Sequence, residues 1–299
     1  MDAQIIKIDT GSKEAPDTGS KAVHDAVDPD AIDKRIKKSH NTVSLMRGVF
    51  LPYKKVKNTK LYKDFVNNNN TLYFENSYIR TVISGHILTQ LHANIIDIIM
   101  TKLNPQVSKE GYVFVQPSFY ELQKYLGWKY KNDTKTIKEL LSQLIETKIS
   151  IFSKTRKIFH EFHILKKVWT DNTINTIVFS REFIDFYFKD YLIINYRSLV
   201  DVILSFKYST NQAIARFLIS QKNINIGTEN LLPAIGIDRS VSRKEKVKIK
   251  KHIIQEKDKF EELGMTINEN LTFIYQKNKK NKEKVYFSGK FAVAKGGSH

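Results

Sequence analysis

Two stretches of this sequence, about 110 residues apart, share one pattern of helix-starting and helix-ending residues, and this repeat constrains the fold most strongly. In the first stretch Ser118 can cap a helix that Gly127 ends, and in the second Thr228 and Gly236 stand in the same relation. A longer helix is predicted to begin about six residues beyond each glycine. The repeat therefore predicts two copies of one unit: a short helix, a tight turn and a longer helix.

The first copy carries periodic signals on both sides of this unit. Thr89 is predicted to cap a preceding helix with an apolar face formed by Leu91, Ile95, Ile98 and Ile99. The capping box at 118–121 opens the short helix, whose predicted inward residues are Leu122, Tyr125 and Leu126. The longer helix, over about 133–146, has an apolar stripe made of Ile137, Leu140, Leu141, Leu144 and Ile145. Strands are predicted at 112–115, 148–152, 158–169 and 176–179.

The second copy repeats this order. Ser209 is predicted to cap a helix with an apolar face formed by Ala213, Ile214, Phe217 and Leu218. Thr228 is predicted to cap the short helix, and a long basic helix is predicted over about 242–263. Strands are predicted at 265–268, 271–277 and 285–291. A helix, a short helix, a turn, a longer helix and a β-hairpin occur in this order in a winged helix-turn-helix domain.

The predicted fold class is α+β, with two tandem winged helix-turn-helix domains and a flexible N-terminal arm. Residues 1–40 mix acidic and basic residues with few large apolar side chains, which is typical of a flexible arm. The first domain with its linker is predicted over 41–200 and the second over 201–293. Residues 294–299, which end in Gly-Gly-Ser-His, have the character of an artificial tail.

The charge of the chain indicates a polyanionic partner. Lys and Arg number 49 against 31 Asp and Glu, a formal net charge of +18, and the pI is about 9.7. Such an excess favours nucleic acid as the partner. The absence of cysteine excludes disulfides and cysteine-ligated metals. No signal peptide and no long apolar run is visible, so we expect a cytoplasmic protein that does not enter the membrane.

The longer helix of each unit is predicted to enter the major groove of double-stranded DNA. In the first copy the predicted DNA-binding residues are Lys129, Lys131, Asn132, Thr134, Lys135 and Lys138. Thr134 and Lys135 are the preferred contacts to bases, and Lys129 and Lys131 to phosphates. Asn132 suits either adenine recognition or a helix N-cap, and we favour the cap.

The second copy is more strongly basic. Its predicted DNA-binding residues are Arg239, Arg243, Lys244, Lys246, Lys248, Lys250 and Lys251. Arg239 and Arg243 are the preferred guanine contacts, because arginine can bond to O6 and N7 together. A wing tip that contacts phosphates is predicted in the loop between the last two predicted strands, at Lys279, Lys280 and Lys282 with the neighbouring Lys277 and Lys284.

Signals for enzymatic chemistry are weak, and we expect neither a catalytic residue nor a cofactor nor a metal. The chain has no GxxxxGK[ST] motif for a nucleotide. His160 and His163 would point to opposite faces of a strand, which makes them a poor metal pair. His86 and His92 are expected to be structural.

Several short segments together resemble a known family. Residues 85–92, 119–127 and 136–144 are similar to the first winged helix of TrfA-type plasmid replication initiators. Residues 177–180, 183–188 and 194–196 resemble the link between that family's domains, and 213–218 resembles the opening helix of the second domain. The resemblance spans roughly residues 45–265.

The resemblance implies a function in plasmid replication. Such initiators bind direct repeats (iterons) at a plasmid origin, open adjacent A·T-rich DNA and recruit the host's helicase and sliding clamp. They have no ATPase or nuclease activity of their own, and relatives switch between an origin-binding monomer and a homodimer that represses its own gene. Two alternatives stay open from the residues: a winged-helix transcriptional repressor that binds a palindromic operator, and a nicking enzyme that uses one of the fourteen tyrosines.

Overall fold

The described residues form two large hydrophobic cores, one in each predicted copy of the repeat, and a small third cluster of Leu51, Phe65 and Ile87. The structure is a computed structural model that describes residues 41–42, 49–53, 56, 59–75, 79–128, 133–154, 157–171, 174–189, 192–193, 196–221, 223–239 and 241–276. The first core collects buried side chains from Val49 to Tyr187, and the second collects those from Tyr196 to Tyr275. The predicted arm at 1–40, the predicted strand at 285–291 and the tail at 294–299 lie outside the described residues.

The first half contains five helices and ten strands within the described residues. The helices are α1 (Lys60–Asn67), α2 (Gln90–Thr101), α3 (Phe119–Tyr125), α4 (Asp133–Glu146) and α5 (Arg181–Lys189). The strands are β1 (Asn41–Thr42), β2 (Thr71–Glu75), β3 (Ile79–Ser84), β4 (Gln106–Val107), β5 (Val113–Val115), β6 (Lys148–Ser153), β7 (Ile158–His163), β8 (Leu165–Asp171), β9 (Ile174–Phe179) and β10 (Leu192–Ile193).

The second half is shorter and repeats the order of opening helix, strand, short helix, longer helix and hairpin. Its helices are α6 (Tyr196–Ser205), α7 (Ser209–Ile219), α8 (Thr228–Ala234), α9 (Arg243–Gln255) and α10 (Lys257–Glu262). Its strands are β11 (Asn223–Gly227), β12 (Met265–Ile267) and β13 (Thr272–Gln276). Helix α6 contributes Tyr196, Val200 and Ile203 to the second core, so the predicted boundary at residue 200 falls inside a helix of the second domain.

The two halves share one sheet topology, which confirms the predicted winged-helix repeat. In the first half β5 pairs with β9 and β9 pairs with β8, all antiparallel, with β4 added at the edge of β5. In the second half β11 pairs with β13 and β13 with β12. In each half the strand that directly precedes the short helix, β5 or β11, pairs with the last strand of a hairpin that comes later in the chain than the longer helix, β8–β9 or β12–β13. The hairpins β8–β9 and β12–β13 are therefore the wings.

The first domain contains a second sheet that the sequence did not predict. Strands β2, β3, β6 and β7 pair in this order, all antiparallel. One face of this sheet buries Ile83, Ile149, Ile151 and Phe162 in the first core. The predicted single strand at 158–169 is consequently wrong. The chain passes from β7 to the wing strand β8 at the buried residue Ile164, because the two strands belong to different sheets.

Of four predicted capping residues, Thr89 and Ser118 are confirmed, and the other two differ by one position. Ser118 accepts a hydrogen bond from the Glu121 N–H at 3.1 Å, and the Glu121 carboxylate accepts one from the Ser118 N–H at 2.8 Å. In the second domain Ser209 and Thr228 are the first helical residues, not the caps. The preceding residues Tyr208 and Gly227 have the extended backbone of an N-cap.

Two further predictions about helices are wrong. Tyr125 was expected to point inward, and it is 37% exposed at the end of α3, where the helix lies at the surface. The long basic helix breaks at Glu256 into α9 and α10. The Glu256 carboxylate is buried and accepts hydrogen bonds from the Lys207 N–H at 2.8 Å and from the Asn211 amide at 2.9 Å. These bonds hold the break in place.

A buried polar cluster joins the two domains through their opening helices. Arg216 on α7 donates to the Asp97 carboxylate on α2 at 2.6 Å and to the Asn94 side chain at 2.7 Å. Gln90 accepts a further hydrogen bond from Arg216, and the Tyr196 hydroxyl donates to Asp97 at 2.8 Å. The Arg216 and Asp97 side chains are 2% and 1% exposed. Breaking this pair would leave a charge without compensation in the interior.

Candidate nucleic-acid interface

The helix-turn-helix of the second domain has a tight turn followed by a well-capped helix. Gly236 has φ +89°, a conformation that favours glycine, and a Cβ at this position would lie 2.9 Å from the Leu51 side chain, which would have to shift. Ser242 then caps α9 by accepting a hydrogen bond from the Glu245 N–H at 3.2 Å. Ile249 and Ile253 anchor α9 in the second core.

The outer face of α9 is cationic. Arg243, Lys244, Lys248 and Lys251 are exposed, and Arg239 is exposed in the turn before the helix. The helix carries six Lys and Arg residues and a single carboxylate, Glu245. The ring of His252 stacks on Tyr208 with 3.5 Å between the ring centroids. Burial and, to a smaller extent, the charge of Lys248 lower the pKa of His252. The exposed lysines and arginines make this part of the surface suitable for a polyanion.

Two of the predicted contacts in α9 have a partner within the protein. Lys246 and Lys250 lie 3.7 Å and 3.5 Å from the Glu229 carboxylate on α8, and both are half-buried. These ion pairs connect the two helices of the helix-turn-helix. Their positive charge is partly neutralised, so the four exposed cations of α9 are better placed to meet phosphates and bases.

The first domain has the same helix-turn-helix with fewer charges. Gly127 has φ +68° and ends α3 as predicted. The Gln123 side chain donates to the Thr134 hydroxyl at 3.2 Å, and the Lys138 ammonium lies 5.2 Å from the centroid of the Phe119 ring. Thr134 and Lys138, which are both predicted DNA contacts, thus also hold α3 against α4.

Lys135 is also a predicted DNA contact of the first domain. Among the described residues it is exposed, and it does not help to hold α3 against α4. Its α-carbon lies about 160° around the helix from the buried Ile137. Lys129, Lys131 and Asn132 lie outside the described residues, so their contacts to DNA stay predictions.

The wing of the second domain that the structure describes is the hairpin β12–β13. The wing of the second domain turns at 268–271, where the Asn268 side chain accepts a hydrogen bond from the Thr272 N–H at 2.9 Å. Lys277, Lys279, Lys280, Lys282 and Lys284 come after this hairpin and lie outside the described residues. Their contacts to phosphates therefore stay predictions.

The wing of the first domain carries candidate contacts that the sequence reasoning missed. Lys166 lies over the Tyr112 ring at 4.7 Å, and Lys167 lies over the Trp169 ring at 5.0 Å. Both lysines are exposed on β8, and Trp169 is also exposed. The signal was the Lys-Lys-Val-Trp sequence just before the wing turn, which places cations and an aromatic ring on one edge of the winged helix.

Three of the described histidines have structural partners. His86 lies 2.7 Å from the Glu146 carboxylate, His92 is buried beside Gln143, and His160 packs edge-on against Phe186. Within the described ranges, no three His, Asp or Glu side chains are grouped so as to hold a metal ion. None of the helices in that part of the chain combines the length and the apolar character that crossing a bilayer requires.

Comparisons with known proteins give one family. Residues 72–223 match the model of the family described as Initiator Replication protein, WH1. A search of curated proteins finds no match. Two solved structures, both of domains 2 and 3 of RctB, align with 62% of this chain and 76% of their own, at 11% and 10% identity and TM-scores of 0.44 and 0.41.

The matched segment covers about half of the sequence. It contains α2, the whole helix-turn-helix of the first domain, both of that domain's main sheets and the buried cluster around Arg216. This match agrees with the winged-helix topology observed independently in the sheets. The chain belongs to the family of initiator replication proteins, and its first domain is the WH1 domain of that family.

Proposed function

We propose that this protein initiates plasmid replication by binding direct repeats in the double-stranded DNA of an origin through both winged helices. The observation that carries the proposal is the outer face of α9, where Arg243, Lys244, Lys248 and Lys251 are exposed around an anchored helix. Membership of the initiator family supports the role in replication.

Each winged helix has its own part in this proposal. The longer helices α4 and α9 enter major-groove segments about 10 bp apart, so one chain covers about 20 bp of a repeat. Arg243 and Arg239 contact guanine, and the lysines of α9 contact phosphates. The larger positive charge of α9 than of α4 supports the second domain as the source of most of the sequence-independent affinity.

In the same proposal the protein supplies recognition and no catalysis, and it acts in the cytoplasm. The origin-bound chain opens adjacent A·T-rich DNA and recruits the host helicase and sliding clamp, and a homodimer represses the initiator gene. Incubation of the protein with supercoiled origin DNA and a divalent cation tests the claim that it has no catalytic activity on DNA. A covalent tyrosine adduct or a nick would contradict it.

Selection of bound sites from random duplex DNA by the full chain, at about 150 mM salt, tests the DNA-binding part. We expect a non-palindromic motif of about 20 bp that occurs in tandem at an origin. A palindromic motif would support the repressor instead. No enrichment over random duplex would leave only non-specific binding and would contradict the proposal.

A further inference from the structure

An aliphatic side chain occupies the centre of the cationic face of α9. Val247 is 60% exposed, whereas Ile249 and Ile253 on the same helix are buried. At 100° per residue, Val247 lies about 160° around the helix axis from Ile249, which places it close to the outermost line of the helix. It therefore contributes little to the second core.

The neighbours of Val247 on the helix surface are all cations. The residues three and four positions away on either side are Arg243, Lys244, Lys250 and Lys251. Single exposed apolar residues are common on protein surfaces and by themselves indicate nothing. The position of Val247 is different, because three of these four neighbours are exposed cations that are proposed to contact DNA.

The major groove offers one apolar group to such a side chain. Thymine carries a C5-methyl group there, whereas the other groups that distinguish the bases are hydrogen-bond donors and acceptors. Valine can make no hydrogen bond and has two methyl groups that gain from leaving water. Apolar contact with the thymine methyl is an established way for a recognition helix to distinguish bases.

We infer that Val247 contacts the C5-methyl group of one thymine and so sets the preference for T·A at one position of the repeat. The inference rests on the proposed entry of α9 into the major groove and adds a specificity-determining residue to it. Val247 has a matched counterpart on the same helix. Ile254 is 59% exposed but lies two turns further along, beyond the N-terminal part of the helix that contacts bases.

The test replaces each thymine of the selected site in turn by uracil, which removes only the C5-methyl group. For the wild-type chain, uracil at one position should weaken binding about four-fold, the size expected for one buried methyl group. For Val247→Ala, thymine and uracil at that position should bind equally well. Ile254→Ala should keep the wild-type difference.

Binding to random duplex separates this inference from the proposed function. Val247 has no charge, so Val247→Ala should leave the affinity for random DNA and its salt dependence unchanged. If the chain binds its site and uracil has no effect at any position, or if the uracil effect persists in Val247→Ala, the inference is wrong and the proposed function stands. If the chain selects no site at all, both are wrong.

Discussion

Both ring nitrogens of His92 have hydrogen-bond partners inside the first domain, and this arrangement favours the neutral ring. Its Nδ1 accepts a hydrogen bond from the Thr89 N–H at 3.0 Å, and its Nε2 lies 2.8 Å from the Gln143 side-chain oxygen. Protonation of Nδ1 would place a second donor against the Thr89 N–H in a buried site. Burial therefore lowers the pKa of His92 to about 4, although the bond to Gln143 acts in the opposite direction.

This pKa predicts a loss of stability in mild acid. In the unfolded chain His92 takes up a proton as the pH falls through about 6.5. In the folded chain it stays neutral down to about pH 4. The free energy of unfolding should therefore fall by about 2 kcal/mol between pH 7 and pH 5 on account of His92 alone. Denaturant unfolding at both pH values measures this.

The variants His92→Gln and His86→Gln isolate the cause of this loss. His92→Gln should remove most of the pH dependence in this range. His86→Gln should keep most of it, because the charge of the half-buried His86 is a smaller cause of the lowered pKa of His92 than burial is. Equal pH dependence in the wild type and in His92→Gln would show that another group titrates.

Arg243 is the residue at which base recognition and phosphate contact can be separated. It is the first residue of α9 and is exposed. Arg243→Ala should relax the preference at one base position and cost about 1–3 kcal/mol on the specific site. Competition between the selected site and single-base variants measures this. An equal loss on specific and random DNA would assign Arg243 to a phosphate.

At the scale of elements, local signals predicted the helices well. The bounds of α4 are those expected from its apolar stripe, and the capping box at 118–121 and the glycines 127 and 236 lie where the sequence pattern predicts them. Each of these signals depends on residues within one or two helical turns. A short window of sequence therefore contains all that is needed to predict them.

Long-range pairing explains most of what the sequence did not predict. Strand β3 pairs with β6 across a segment that includes the whole helix-turn-helix, and nothing near Thr81 or Ile151 specifies this partner. The break between α9 and α10 likewise depends on Asn211, which is distant in sequence from Glu256. In the candidate site, the charges of α9 were predictable, whereas the pairing of Lys246 and Lys250 with Glu229 depends on how α8 packs.

The exposed lysines of α9 should determine the salt dependence of DNA binding. Replacing Lys244, Lys248 and Lys251 by alanine should weaken binding to all sequences alike, because phosphate contacts carry no sequence information. The slope of log K against log salt should become shallower by about 0.9 for each phosphate that the variant no longer neutralises. Titrations at several salt concentrations measure the slope.

The matched control removes the same charge elsewhere. Lys60, Lys63 and Lys109 are exposed and lie outside both helix-turn-helix units. Replacing these three by alanine should change the slope much less. Equal changes in the two triple variants would mean that net charge, and not the face of α9, determines affinity.

At the scale of the whole molecule, the opening helices of the two domains form one buried interface. Nearly every residue of α2 and α7 is buried, because each helix packs on its own core and on the other domain. Arg216 lies at the centre of this interface, where Asp97 and the Asn94 and Gln90 side chains accept its hydrogen bonds. The interface therefore fixes the position of the longer helix α4 relative to the longer helix α9.

Arg216→Ala should consequently destabilise the whole chain and separate its two halves. Removing one partner of a buried ion pair costs roughly 3–5 kcal/mol, since Asp97 would remain charged without compensation. Calorimetry should show one unfolding transition for the wild-type chain and two for Arg216→Ala, because the domains lose their coupling. Arg197→Ala is the matched control, because Arg197 also bonds across the domains, to Asn104, but is exposed. Its replacement should cost well under about 1 kcal/mol.

Replacing both partners of the ion pair together, as Asp97→Leu with Arg216→Met, should recover much of the lost stability. A double variant as unstable as Arg216→Ala would show that the surrounding hydrogen bonds, and not the charges, hold the domains together.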